Sequence, residues 1–179
     1  VNITLIGYRG TGKSTVARLL AGRLGWDWVD ADACVEERAN RTISEIFAAE
    51  GEQGFRDRES ALINELTARD RIVIAAGGGA VLKSENRLAI RQSGFVVWLV
   101  ASPQVIHQRI TSDPASAHRR PPLTHFDAIE EIHRLLVQRE PLYRECADLV
   151  VDSEHQSPEQ VAQQIFDDVR VTRPSSRME

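Results

Sequence analysis

Residues 7 to 15 read GYRGTGKST, and the spacing of Gly7, Gly12, Lys13 and Ser14 is that of a phosphate-binding P-loop, with the apolar NITLI (2–6) as the strand expected before it. Glycines in such a turn let several backbone N–H groups aim at one oxyanion, while the following helix turns its positive end toward the phosphates. Lys13 can then reach β- and γ-phosphates, and the Ser14 hydroxyl can ligate Mg²⁺. A phosphate cradle alone serves a kinase, a nucleotide switch or a motor, so the other polar residues must discriminate.

Asp30 and Asp32 are expected at the end of a second strand, on the edge of the sheet that faces a γ-phosphate. One carboxylate could order a metal's water shell and the other accept a hydroxyl proton, or either could cap the next helix. In GEQGFRDRE (51–59), Arg56 and Glu59 stand at i, i+3 on one helical face. Arg56 could clamp a carboxylate bidentately while Glu59 fixes its guanidinium; the plainer reading is a surface ion pair of little energetic weight. Gly77, Gly78 and Gly79 permit close approach of backbone to a ligand, or simply a permissive turn. Late in the chain come Arg119, Arg120 and Arg139: Arg120 falls in an aperiodic stretch that could close over a transferring group, and Arg139 is expected just after a helix, where a cation suits the dipole.

The elements that must hold these residues alternate. Short apolar runs at 2–6, 26–30, 71–76, 95–100 and 148–152 read as buried parallel strands. Helical patterns lie between them, carried by Val16, Leu19, Leu20 and Leu24, by Ala61, Leu62, Glu65 and Leu66, and by Leu88 and Ile90. Ser102-Pro103 and Ser157-Pro158 place a capping hydroxyl before a first-turn proline, and TISE (42–45) is a capping box. Strand and helix in alternation imply a doubly wound α/β sheet with ligands at the carboxyl ends of strands. Residues 111–125 (TSDPASAHRRPPLTH) are too long for a plain connector and read as a functional lid or an insertion. The polar tail 171–179 is expected to be frayed.

The 179 residues suit one domain, about 1–170, and the net charge of -4 offers no global attraction for nucleic acid or an anionic membrane. Two cysteines, Cys34 and Cys146, match no zinc or disulfide spacing, and no apolar run approaches the roughly 20 residues of a bilayer span. The expected setting is the cytoplasm. The chain starts on Val1 inside a strand rather than on a signal peptide, and the missing Met implies loss of something short. No exposed apolar stripe demands a partner, so a monomer is expected.

In their order, the blocks GYRGTGKST, DADACVEE, ISEIFAAEGEQGFRDRE, AAGGGAVL, RRPPL and QREPLY resemble the shikimate kinases, a group of P-loop small-molecule kinases. The resemblance spans about residues 2–169. It implies a three-layer α/β/α fold of the P-loop NTPase type, with a five-stranded parallel sheet, a substrate-binding helical segment (about 32–60) and a lid loop. It implies transfer of the ATP γ-phosphoryl group to the 3-hydroxyl of shikimate, in aromatic amino-acid biosynthesis. By the same likeness Gly10, Thr11, Gly12, Lys13, Ser14 and Thr15 would hold ATP phosphates, with Ser14 on Mg²⁺ and Asp30 supporting it through water. Asp32 would hold shikimate hydroxyls and serve as base; Arg56 and Arg139 would bind the carboxylate, aided by Gly77, Gly78 and Gly79. Lys13 and lid residue Arg120 would act on the transferring group, and Arg109 and Gln156 would lie near adenine.

Three positions depart from that pattern. Ala76 stands where the group usually has Thr or Ser, Asn40 where it commonly has Gly, and Pro122 where it usually has Leu. Asn tolerates the left-handed conformation, so the second is mild. The rival readings are another small-molecule kinase, such as a gluconate kinase, and a nonenzymatic nucleotide-binding module.

Overall fold

The computed structural model describes residues 1–113 and 128–172. Strands β1 (Asn2–Ile6), β2 (Asp27–Asp30), β3 (Ile72–Ala75), β4 (Gly94–Val100) and β5 (Leu149–Asp152) match the five apolar runs to within one residue at either end. They form one parallel sheet in the order β2-β3-β1-β4-β5. The helices are α1 (Lys13–Leu24), α2 (Ala31–Ala39), α3 (Ile43–Thr67), α4 (Ser84–Ser93), α5 (Pro103–Ser112), α6 (Ala128–Cys146) and α7 (Pro158–Thr172), with a 3₁₀ turn at Ala80–Leu82.

The period of two in β1 sorts the layers. Ile3 and Leu5 face α1 and α7, where they meet Val16, Leu20, Val161 and Ile165. Ile6 faces the opposite way, with Val96 and Trp98 of β4, against Ile63 of α3, Ile90 of α4 and Tyr143 of α6. A sheet covered on both faces explains why β1, β3 and β4 read as nearly unbroken apolar runs. The edge strand β2 is less covered, with Asp27 and Trp28 exposed. In α4, Ile90 is buried but Leu88 faces solvent, so only the former holds that helix to the core.

The helix ends are set by local chemistry. Thr42 and Glu45 form the expected capping box of α3, Ser102 Oγ accepts the Val105 N–H, and Ser157 Oγ accepts the Gln160 N–H. Asn40 closes α2 in the left-handed conformation, at φ 49°, with its N–H shared between the Glu36 and Glu37 carbonyls. Helix α3 is broken once, by Gly51 at φ 71°. That bend lets Ile43 and Ile46 before it join the same cluster as Phe55 and Leu62 after it.

Three expectations need correction. Asp32 does not end a strand: it sits in the first turn of α2, because Asp30 already serves as the N-cap. Arg139 does not follow a helix; it lies inside α6, which continues through Pro141. Proline there removes one N–H donor, and the residue whose carbonyl it would have served, Val137, is 56% exposed. Buried Ile132 before the proline and Tyr143 and Cys146 after it hold both halves of α6 to the protein. Lastly, residues 111 and 112 belong to α5 rather than to a loop. The remainder of the expected lid, with Arg119, Arg120 and Pro122, and residues 173–179 of the expected tail lie outside the described residues.

Asn40→Gly is expected to leave thermal stability within about 0.5 kcal/mol of the parent. Asn40→Val should lower it by about 1–2 kcal/mol, the cost of a β-branched residue in left-handed backbone, as read by thermal denaturation.

Candidate active site

The P-loop lies between β1 and α1, at the carboxyl end of the central strand. Gly12 occupies the N-cap of α1 at φ 89°, provides no side-chain cap, and is followed by no acidic residue in the first turn. The N-terminal N–H groups of α1 therefore keep their affinity for an anion. Lys13 is buried, and its ammonium folds back to donate to the carbonyls of Gly7 and Tyr8, at 2.8 Å each. Thr11 Oγ1 also donates to the Tyr8 carbonyl, at 2.8 Å. These bonds hold the loop in the shape that the glycines allow. The Thr15 side chain is exposed.

Ser14 Oγ donates to Asp30 Oδ2, and Asp30 Oδ1 accepts the Ala33 N–H at 3.1 Å. Asp30 is thus the helix cap and at the same time the partner of the P-loop hydroxyl. A hydroxyl and a carboxylate side by side at the mouth of the loop form an oxygen donor set suited to a hard cation such as Mg²⁺.

Opposite the P-loop, the glycine run after β3 is closely approached by side chains. A Cβ on Gly77 would lie 2.6 Å from Asp32 Oδ1 and 2.6 Å from Glu59 Oε1, and one on Gly79 would lie 2.6 Å from the guanidinium carbon of Arg56. Asp32, half-buried on α2, and Arg56 and Glu59 on α3 therefore converge on this backbone. Arg56 is 6% exposed and Glu59 1%, and they pair at 2.7 Å through Nη1 and Oε2. The expectation of a weak surface pair is overturned, because burial of α3 against the sheet removes both groups from water. Glu52 Oε1 stands 3.4 Å from both Nε and Nη2 on the outer edge of the same guanidinium.

The Gly78 carbonyl accepts Tyr143 Oη at 2.5 Å and Arg139 Nη1 at 3.2 Å, both from α6. Arg139 also lies over the Tyr8 ring, 5.6 Å from its centroid. On the far side of the P-loop, Arg109 Nη2 donates to the Ser153 carbonyl at 2.6 Å, and its Nη1 reaches Gly10 O and Ser153 Oγ, each at 3.4 Å. Gln156 follows in the same β5–α7 loop and donates to Asp152 O at 3.1 Å and to Gln164 Oε1 at 3.2 Å. Asp152 organises that loop: the His155 ring and the N–H groups of Glu154 and His155 hold its carboxyl below the ordinary range, and His155 is raised in return.

Of the residues singled out from sequence, Asp32, Arg56 and Arg139 meet on the Gly77–Gly79 backbone, the Gly78 position lies against the P-loop backbone at Gly7–Arg9, and Ser14 is bonded to Asp30. Arg109 reaches the loop through Gly10 O, whereas the bonds of Gln156 run to Asp152 and Gln164. Sequence reasoning passed over Tyr8, Tyr143, Glu52 and Ser153. Arg139 and Tyr143 stand at i, i+4, so reading α6 through Pro141 would have put both on one face. Glu52 is likewise i−4 from Arg56. Nothing in the sequence marks Tyr8 beyond its place in the P-loop, or Ser153 beyond its place after a strand. Ala76, beside the glycines, is buried in an apolar cluster with Ile6 and Ile63.

Removing one member of the buried pair leaves the other charge stranded. Glu59→Gln is expected to lower unfolding free energy by about 3 kcal/mol in urea titrations. A change below about 1 kcal/mol would mean that water reaches this guanidinium.

A family model described as shikimate kinase matches residues 9–170. The shikimate kinase of Rhodopirellula baltica is 44% identical over 165 residues, covering 92% of this chain and 88% of that protein. Among solved structures, a shikimate kinase from Acinetobacter baumannii in complex with shikimate superposes with a TM-score of 0.90 at 38% identity, over 97% of this chain and 94% of that one. A gluconokinase from Sinorhizobium meliloti shares the fold at 17% identity and a TM-score of 0.59, over 96% and 92% of the two chains. The phosphate cradle facing a buried guanidinium, together with a family match over nearly its whole length, leads to one conclusion: the chain belongs to the shikimate kinase family.

Proposed function

We propose that this protein transfers the γ-phosphoryl group of ATP to the 3-hydroxyl of shikimate, giving shikimate 3-phosphate and ADP for aromatic amino-acid biosynthesis. The observation that carries this reading is the arrangement around Gly77–Gly79. A buried guanidinium and a half-buried carboxylate converge there, with the Gly78 position against the P-loop: a Cβ on Gly78 would lie 3.3 Å from the Arg9 nitrogen and 3.4 Å from Gly7 O. A ring with one carboxylate and several hydroxyls needs a cationic clamp at one end and acceptors at the other. Arg56 and Arg139 supply the clamp and Asp32 the acceptor.

On the donor side, the Gly10–Thr15 backbone and the α1 N-terminus bind phosphate oxygens, and Lys13 exchanges its two loop carbonyls for β- and γ-phosphate oxygens. Mg²⁺, held by Ser14 with Asp30 through water, would neutralise phosphate charge when bound. Arg109 and Gln156 flank the nucleotide at the edge of the β5–α7 loop. Asp32 accepts the proton of the 3-hydroxyl or fixes its direction, and a loose transition state makes modest demands on a base. Arg120 of the lid is assigned to the migrating phosphoryl group by family likeness alone.

The test is ADP release with ATP and Mg²⁺, comparing shikimate, gluconate and AMP as acceptors. Turnover is expected with shikimate; turnover on gluconate alone, or ATP binding without turnover on any acceptor, overturns the proposal. In the same assay Asp32→Asn should lose most turnover while ATP still binds. Arg139→Ala should weaken shikimate binding by about 1.5–3 kcal/mol, as for a lost charge-assisted bond, measured by calorimetric titration.

A further inference from the structure

We infer that Tyr8, a P-loop residue, is a positioning residue for the acceptor clamp, its ring being the platform on which the Arg139 guanidinium is set. The inference rests on the shikimate kinase reading and extends it to a residue that touches neither phosphate nor carboxylate.

Four observations converge. The Arg139 guanidinium carbon lies 5.6 Å from the Tyr8 ring centroid, within the range at which a cation is drawn to an aromatic face. The ring is only 5% exposed and is clustered with Ile106 of α5 and Ile132 of α6, so neighbours on two helices fix its plane. Ile132 and Arg139 are two turns apart on one face of α6, so the contact that seats the ring also sets the height of the arginine. The second restraint on Arg139 is the Gly78 carbonyl, itself held by Tyr143, and a Cβ on Gly78 would stand 3.6 Å from the Tyr8 α-carbon. A long, rotamer-rich side chain held at both a ring and a carbonyl has little freedom left to lose when a carboxylate arrives.

The two halves of Tyr8 serve different substrates. Its carbonyl accepts Lys13 Nζ and Thr11 Oγ1 and so belongs to the donor loop. Its side chain belongs to the acceptor. A substitution changes the ring and leaves the carbonyl in place, so the two roles can be separated.

The experiment is steady-state kinetics with each substrate varied, on Tyr8→Leu, Tyr8→Met and Tyr8→Phe. Loss of the ring in the first two should raise the shikimate KM about fivefold, the ratio set by about 1 kcal/mol, with the ATP KM within about twofold of the parent. Tyr8→Phe, which keeps the ring, should restore the parental shikimate KM. An unchanged shikimate KM in the ringless variants, an equal rise in both KM values, or a Phe variant as impaired as the Leu variant would overturn the inference. Should the parent protein not phosphorylate shikimate, that failure belongs to the functional reading. The Arg139 Nε–H resonance then decides the inference by NMR, since it should move in Tyr8→Leu and Tyr8→Met and stay in Tyr8→Phe; equal positions in all would overturn it.

Discussion

Between β3 and the 3₁₀ turn, three glycines run close against neighbouring side chains and the P-loop backbone. At Gly79 a β-carbon would collide with the Arg56 guanidinium, and at Gly77 with the carboxylates of Asp32 and Glu59. This close approach is the constraint around which the site is arranged. It brings a main-chain segment from the carboxyl end of β3 against α2, α3, α6 and the P-loop, and it exposes the Gly78 carbonyl to two donors from α6. Backbone has no rotamers, so each side chain that contacts it is located against a fixed object.

Charge is arranged around this segment in two layers. The inner layer is the Arg56–Glu59 pair, where burial makes the guanidinium dependent on its partner. Its outer edge meets the exposed carboxylate of Glu52 at longer range. The orientation of the arginine is therefore settled by Glu59. The P-loop is arranged on the same logic, with Lys13 held by two carbonyls and Ser14 by Asp30. In both halves the protein supplies its own polar partners to groups that would otherwise be buried without any.

The fold and the ligand class were legible because they rest on local rules. Strand periodicity, the P-loop spacing, the capping box at Thr42 and the left-handed Asn40 each depend on a few neighbouring residues. Arg139 was misplaced because Pro141 normally ends a helix. Here the residue one turn before the proline, Val137, is exposed, and apolar contacts on both sides of the proline hold α6 as it continues. Asp32 was assigned to a strand end because the sequence leaves open which of the two aspartates caps α2, and the cap is Asp30. The weight of the Arg56–Glu59 pair could not be judged either, since i, i+3 spacing is the same on a solvated face and a buried one.

By itself, then, the sequence determined the order of strands and helices, the phosphate-binding loop and the set of polar residues available to an acceptor. These follow from spacing along the chain. Only the tertiary structure decided that Arg56 and Glu59 are buried, that the glycines touch them, and that Tyr8 of the first loop lies beneath Arg139 of the sixth helix. Those contacts join residues up to 131 positions apart, as with Tyr8 and Arg139. Burial and contact at that range are set by how the layers pack, which no local pattern encodes.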